Sequence, residues 1–358
     1  MEFLTDYGLF LAKTLTLVLA ILFVFIVLIA NASRHKGEGK HKGHITVTKL
    51  NDEFDDLRDD IRHEVLDDDV LKAEAKAEKK KDKEEQKARK KASKDACAEP
   101  ERKRIYVLEF DGDVAASEVE DLRHIITAIL AVARPELDAV MLKLESPGGM
   151  VHSYGLAASQ LARLRKHNIH LTICVDKVAA SGGYMMACIA NNLIAAPFAY
   201  IGSIGVLVQL PNVHRLLKDN KVDYEMITAG EYKRTLTTFG ENTDKGREKV
   251  QEEVDEMHLL FKSFIHEWRP ALDVTAAATG EVWTGTQSLS KGLIDAIDTS
   301  DEWLLTQCKE ADVYEVLWVR KLKMRDRLAA LLEGSISASL QKIMFGWLNR
   351  ADKEKFYS

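Results

Sequence analysis

Between residues 105 and 176 three short apolar runs, "IYVLEF" (105–110), "AVMLKLE" (139–145) and "HLTICVD" (170–176), alternate with longer stretches of helical spacing. The runs are short, apolar and rich in β-branched residues, so they predict buried strands. The intervening "SEVEDLRHIITAILAVA" and "SYGLAASQLARLRKH" predict helices. The first opens on a capping box, with Ser117 accepting from the amide of Glu120 and the Glu120 carboxylate reaching back. Strands separated by helix-length crossovers pair in parallel, so the fold class is α/β. "DGDV" and "SPGG" (146–149) are the turns between them.

Further along, a hydropathy peak over 185–210 is broken by "ANN", "APFAY" and "GSIG", which suits a core helix followed by a core strand and not a membrane span. A helix is expected from Asp244 to Trp268, then a glycine-rich stretch over 279–298, then an apolar-faced helix over 325–348. At the other end, residues 9–30 hold a single charge, Lys13, and as a helix reach about 33 Å, enough to span a bilayer. The run is longer than a secretory h-region and is preceded by Glu2 and Asp6, which favours a retained anchor over a cleaved signal.

Between anchor and domain the charge is polarised. Residues 51–69 carry ten acids against Arg58 and Arg62, and residues 72–94 carry eleven bases against five acids. Leu50, Phe54, Leu57, Ile61 and Val65 recur at helical spacing, so the acidic half reads as an amphipathic helix packed on a neighbour. The basic half has no apolar stripe and no aromatic residue for base stacking, so it reads as a solvated spacer and no nucleic-acid partner is expected.

The four cysteines show no C-x-x-C pairing and no ligand spacing with a histidine, so neither a metal nor a cofactor is expected. Chemistry centres instead on "VDKVAASGGYMMACIAN" (175–191), where Ser181 falls on a strand-to-helix turn. The helix beginning beside it would favour an oxyanion formed after attack by Ser181 Oγ. A serine still needs a base. His214, His258 and His266 are available, as are Lys233, Lys177 and Lys143; Lys233 in "AGEYKRTLTTFG" has Tyr232, Leu236 and Phe239 to exclude water. By spacing alone the choice stays open.

"ESPGGMVHSYG", "AASGGYMMACIAN", "IGSIGV" and "AGEYKR", in this order and with Lys233 52 positions beyond Ser181, resemble the signal peptide peptidase A family of membrane Ser-Lys proteases. The resemblance implies a ClpP/crotonase-like repeated β-β-α core, preceded here by the transmembrane helix and a charged helical linker. It also implies Ser181 as nucleophile, Lys233 as general base and acid, and Ser203 as the residue that orients the lysine. The oxyanion hole would be the amide of Gly182 with that of Gly148 or Gly149. Peptides or unfolded proteins, such as signal-peptide remnants, are the implied substrates. A homo-oligomer is implied too, with the dyad completed between protomers.

The expected layout is an anchor over 1–33 in contact with membrane lipid through residues 9–30, a charged linker over 34–103, a protease domain over 104–312 and a C-terminal helical extension over 313–358. The expected location is the bacterial inner membrane. Arg34, Lys36, Lys40 and Lys42 after the span point to a cytoplasmic domain, whereas the resemblance points to the periplasmic side. Two rival functions share the fold: an inactive membrane scaffold, and an acyl-CoA enzyme of the crotonase type, which leaves the pairing of Ser181 with Lys233 unexplained.

Overall fold

The computed structural model describes residues 43–67, 69, 70 and 102–320, together with 8–10, 13, 14, 16 and 17. The strands are β1 (Gly43–Lys49), β2 (Arg104–Asp111), β3 (Ala139–Glu145), β4 (His170–Val175), β5 (Val178–Ala180), β6 (Asn192–Ala195), β7 (Tyr200–Gly202), β8 (Val282–Thr284), β9 (Ala296–Ile297) and β10 (Asp312–Arg320). The helices are α1 (Leu50–Val65), α2 (Val119–Val132), α3 (Val151–Lys166), α4 (Gly182–Ala187), α5 (His214–Asp219), α6 (Asp244–Trp268), α7 (Val274–Ala277), α8 (Gly285–Ser290) and α9 (Ser300–Glu310). The fold is mixed α/β with a largely parallel sheet.

That sheet runs β1-β10-β2-β3-β4-β6-β9, and every pairing from β10 to β9 is parallel. Alternation along the strands feeds two cores, because successive side chains leave a strand on opposite faces. Tyr106, Leu108 and Phe110 of β2 face α2 and α3, meeting Leu122, Ile126 and Leu161. Ile105 and Val107 join Met141, Cys174 and Ile194 on the other face, under Leu50 of α1 and Leu304 of α9. Both faces are covered along most of their length, so the central strands are apolar except near their C-terminal ends, where Glu109 and Lys143 reach the surface.

Residues 45–318 form one compact unit. Its edge extends into what reads as linker. Asn51 Nδ2 donates to the carbonyls of Cys308 (2.9 Å) and Ala311 (3.0 Å), and its Oδ1 accepts from the amide of Val313 (2.8 Å). One side chain thus pins the start of α1 to the turn between α9 and β10. The expected amphipathic helix packs only through its N-terminal end: Leu50 is buried and Phe54 half-buried against the same core, while Leu57, Ile61 and Val65 are exposed. Likewise, residues 313–320 are sheet and not helical extension, since β10 lies beside β2.

The capping box on α2 does not form. Ser117 Oγ donates to Asp113 Oδ2 (2.7 Å), and the N-cap is Glu118, whose carboxylate accepts from the amide of Asp111 (2.8 Å). Asp113 is the nearer acceptor in a tight turn that passes through Ala116 at φ 51°. The apolar run 9–30 lies mostly outside the described residues, and among those described no helix is long and apolar enough to cross a membrane. The basic stretch 72–94 and the expected helix over 325–348 also lie outside them.

Candidate active site

Ser181 does not follow β4, as its sequence context suggests. The chain turns after Val175 and makes a separate short strand, β5, in a second sheet ordered β5-β7-β8. Ser181 is the residue after β5, at φ 53° and ψ −115°. A side chain there costs about 1–3 kcal/mol, so the surroundings must impose it. Ser181 N–H donates to the carbonyl of Gly202 (2.8 Å), and its own carbonyl accepts from Met185 N–H (3.0 Å). The helix that follows, α4, is only six residues long and largely buried, so the expected macrodipole reduces to a few local amides.

The glycines around Ser181 are required by close approach. A Cβ on Gly182 would run into the Tyr154 ring, and one on Gly183 would lie 2.5 Å from the Ser146 carbonyl. Gly148 has φ +89°, and a Cβ there would lie 2.7 Å from the Ala180 carbonyl and 2.8 Å from Ser181 Cβ. The "SPGG" loop is laced to β5 by Ser146 N–H on the Val178 carbonyl (2.8 Å) and Ala180 N–H on the Ser146 carbonyl (3.0 Å).

Beneath this loop runs a buried hydrogen-bond ladder whose protons can be assigned. Tyr154 Oη donates to the Asp113 carbonyl (2.8 Å) and sits 2.6 Å from Ser146 Oγ. Since the tyrosine proton is used, Ser146 Oγ donates to Tyr154 Oη, and its lone pair accepts from the Gly148 amide (3.1 Å). Burial raises the Tyr154 pKa, which keeps the phenol protonated. The Gly148 amide is therefore occupied. Gly149 and Gly182, whose amides donate to no described group, both line a cavity with Ser181.

This ladder was not legible from motif reading. Tyr154→Phe is expected to lower stability by about 1–2 kcal/mol in urea unfolding, because Ser146 loses its buried acceptor. It is also expected to lower kcat about tenfold with little change in KM, since the Gly148–Gly149 peptide is held less firmly. Unaltered kcat in the folded variant would remove the ladder from any role in turnover.

The cavity beside Ser181 has a volume of about 360 Å³. Its walls are mostly apolar: Val151 of α3, Met185 of α4, Val206, and Leu260, Phe261 and Phe264 of α6. Ser203 stands next to the site, because Ala180 pairs in register with Gly202 and each serine is the next residue of its parallel strand. It too has positive φ, 50°, held by its N–H on the Glu281 carbonyl (2.6 Å).

Lys233 is elsewhere. It is exposed, in the segment between α5 and α6, and lines a separate cavity of about 730 Å³ built from residues 210–239. No hydrogen bond joins it to Ser181 or Ser203 among the described residues. Nearby, Leu207 and Val208 ahead of α5, Leu216 within it and Ile227 after it are all exposed, the last 97% accessible. Of the rival bases, Lys177 is bonded to Glu145 at 2.8 Å, which raises its pKa and holds it charged. Lys143 lies 3.7 Å from Glu109, and no hydrogen bond links His214, His258 or His266 to Ser181.

Two family descriptions match the chain: peptidase family S49 N-terminal over residues 2–161 and peptidase family S49 over residues 163–314. The probable protease SohB of Haemophilus influenzae is 54% identical over 238 residues, 66% of this chain and 67% of the relative. That of Buchnera aphidicola subsp. Acyrthosiphon pisum is 50% identical over 244 residues, 68% of this chain and 72% of the relative. Among solved structures, a lysine-to-alanine mutant of the 1510-N membrane-bound stomatin-specific protease, in complex with a substrate peptide, aligns at 15% identity and TM-score 0.41. That alignment covers 65% of this chain and 98% of the other. With both family matches in tandem and SohB relatives aligned through the Ser181 region, the chain belongs to peptidase family S49.

Proposed function

We propose that this peptidase is a membrane-anchored serine endopeptidase with a Ser181–Lys233 dyad, built on a ClpP/crotonase-like core. The observation that carries the reading is Ser181 itself, a strained residue packed between Gly148 and Gly182 at the mouth of an apolar cavity. Strain of this kind persists where a side chain must be aimed. Lys233, as a neutral amine, takes the proton of Ser181 Oγ while the oxygen attacks the scissile carbonyl carbon. The amides of Gly182 and Gly149 stabilise the resulting oxyanion. Collapse breaks the C–N bond, and the proton passes from Lys233 to the leaving amine. Lys233 then deprotonates water, which attacks the acyl ester, and the proton returns to Ser181 as the acid departs.

Within one chain Lys233 and Ser181 line different cavities, so the dyad is completed by a neighbouring copy, with Ser203 orienting the incoming amine. The apolar side chains exposed between residues 207 and 227 suit such a contact. An amine acts as a base only when unprotonated, a state favoured by burial away from water, which docking of this segment supplies. Short or unfolded peptides, including signal-peptide remnants, fit an apolar cavity reached from an open loop. Residues 9–30 tether the enzyme to lipid.

A serine-directed fluorophosphonate separates this reading from an inactive scaffold of the same fold. In the oligomeric fraction the adduct is expected on Ser181, located by peptide mass mapping and lost in Ser181→Ala. A wild-type oligomer that takes no label would overturn the catalytic reading.

A further inference from the structure

Helix α3 carries Gly155 in its second turn, a position with no structural need for glycine. Glycine is among the poorest helix formers, and its usual excuses are positive φ or close approach of a neighbour. Gly155 has neither. It has helical backbone, and a Cβ built on it would meet nothing within 4 Å, unlike Gly148, Gly149, Gly182 and Gly183 around it. The empty space is the cavity beside Ser181, which Gly155 lines. One turn on, Ser159 lines the same wall, but its hydroxyl donates back to the Gly155 carbonyl (2.7 Å) and so offers the cavity little polarity.

Resting on the proposed protease reading, we infer that Gly155 sets the size selectivity of this cavity. It keeps open the space opposite Phe261 and Phe264 for the side chain of the residue whose carbonyl Ser181 attacks. The substrate class is a peptide with a large apolar residue, phenylalanine or leucine, on the acyl side of the cleaved bond. A side chain at position 155 projects into that space and leaves room only for a small residue. Helix formation favours alanine or leucine at this position, so glycine here lowers local stability while it opens the cavity.

The test uses the full chain and two readouts. Hydrolysis of a fluorogenic peptide series with alanine, leucine or phenylalanine at the acyl-side position is followed in wild type, Gly155→Ala and Gly155→Leu. Binding of the same peptides is titrated in a Ser181→Ala background, where no turnover occurs. Gly155→Leu is expected to lower kcat/KM and affinity for the phenylalanine peptide about 100-fold while sparing the alanine peptide, and Gly155→Ala about 10-fold. Gly155→Ala is also expected to raise Tm by about 2 °C, which shows that the fold accepts the change. Equal losses for all peptides, or an unchanged phenylalanine-to-alanine ratio in both readouts, overturns the inference. Selective binding that shifts in the variants without any hydrolysis in wild type overturns the catalytic reading alone.

Discussion

Ser181→Gly is expected to abolish peptide hydrolysis and at the same time stabilise the protein. The two effects share one cause. Ser181 sits at φ 53° and ψ −115°, where a Cβ is costly and glycine is at ease. Its side chain caps nothing in α4, so removing it forfeits no hydrogen bond of the fold. Relief of strain, less the extra entropy that glycine brings to the unfolded chain, leaves a net gain of about 1 kcal/mol in urea unfolding. Loss of the attacking oxygen should lower kcat about 10³-fold or more, leaving only what the amides and the cavity contribute. Casein or fluorogenic-peptide hydrolysis by the purified chain reads the first effect. Full turnover in the variant would end the case for Ser181 as nucleophile.

Lys233→Ala should be as inactive as the serine variant, yet the two inactive proteins should restore activity when mixed. If each site takes its serine from one copy and its lysine from the next, a Lys233→Ala subunit beside a Ser181→Ala subunit regains one whole site. Random mixing at equal amounts, after dissociation and reassembly, then gives about a quarter of wild-type activity, one arrangement in four. A dyad closed within one chain predicts no recovery at any ratio. The distinction is sharp because Lys233 lies in the cavity of residues 210–239 and not in the one at Ser181. Inactive mixtures from variants that still co-assemble would refute completion by a neighbour.

Much of the fold is legible because its strands are buried on both faces. The runs at 105–110 and 139–145 are β2 and β3 nearly to the residue, and α6 spans Asp244–Trp268 as its spacing requires. Legibility fails where one local interaction defeats another. Ser117 is a sound N-cap by rule, but Asp113 in the preceding turn takes its hydroxyl. "AASGG" reads as the turn that follows the strand "HLTICVD", whereas Val178–Ala180 form a strand of their own, β5, in a different sheet from β4. The charged stretch near residue 50 reads as linker, and contacts made across the chain, Leu50 in the core and Asn51 bonding to groups more than 250 positions away, show that it belongs to the domain.

The site divides in the same way. Sequence alone determined which residues could carry chemistry: a serine before two glycines, an "SPGG" turn, a serine in "GSIG" and a lysine in "AGEYKR", in a fixed order. These are legible because glycines at strand ends and a reactive hydroxyl are properties of single residues and their neighbours in the chain. Only the tertiary structure decided that Ser181 is strained, that the Gly148 amide is spent on Ser146, that Gly155 faces open space and that Lys233 lies in a separate cavity. Each of these depends on atoms brought together from distant parts of the chain, and backbone direction and cavity shape are set by that packing, which no local pattern of residues encodes.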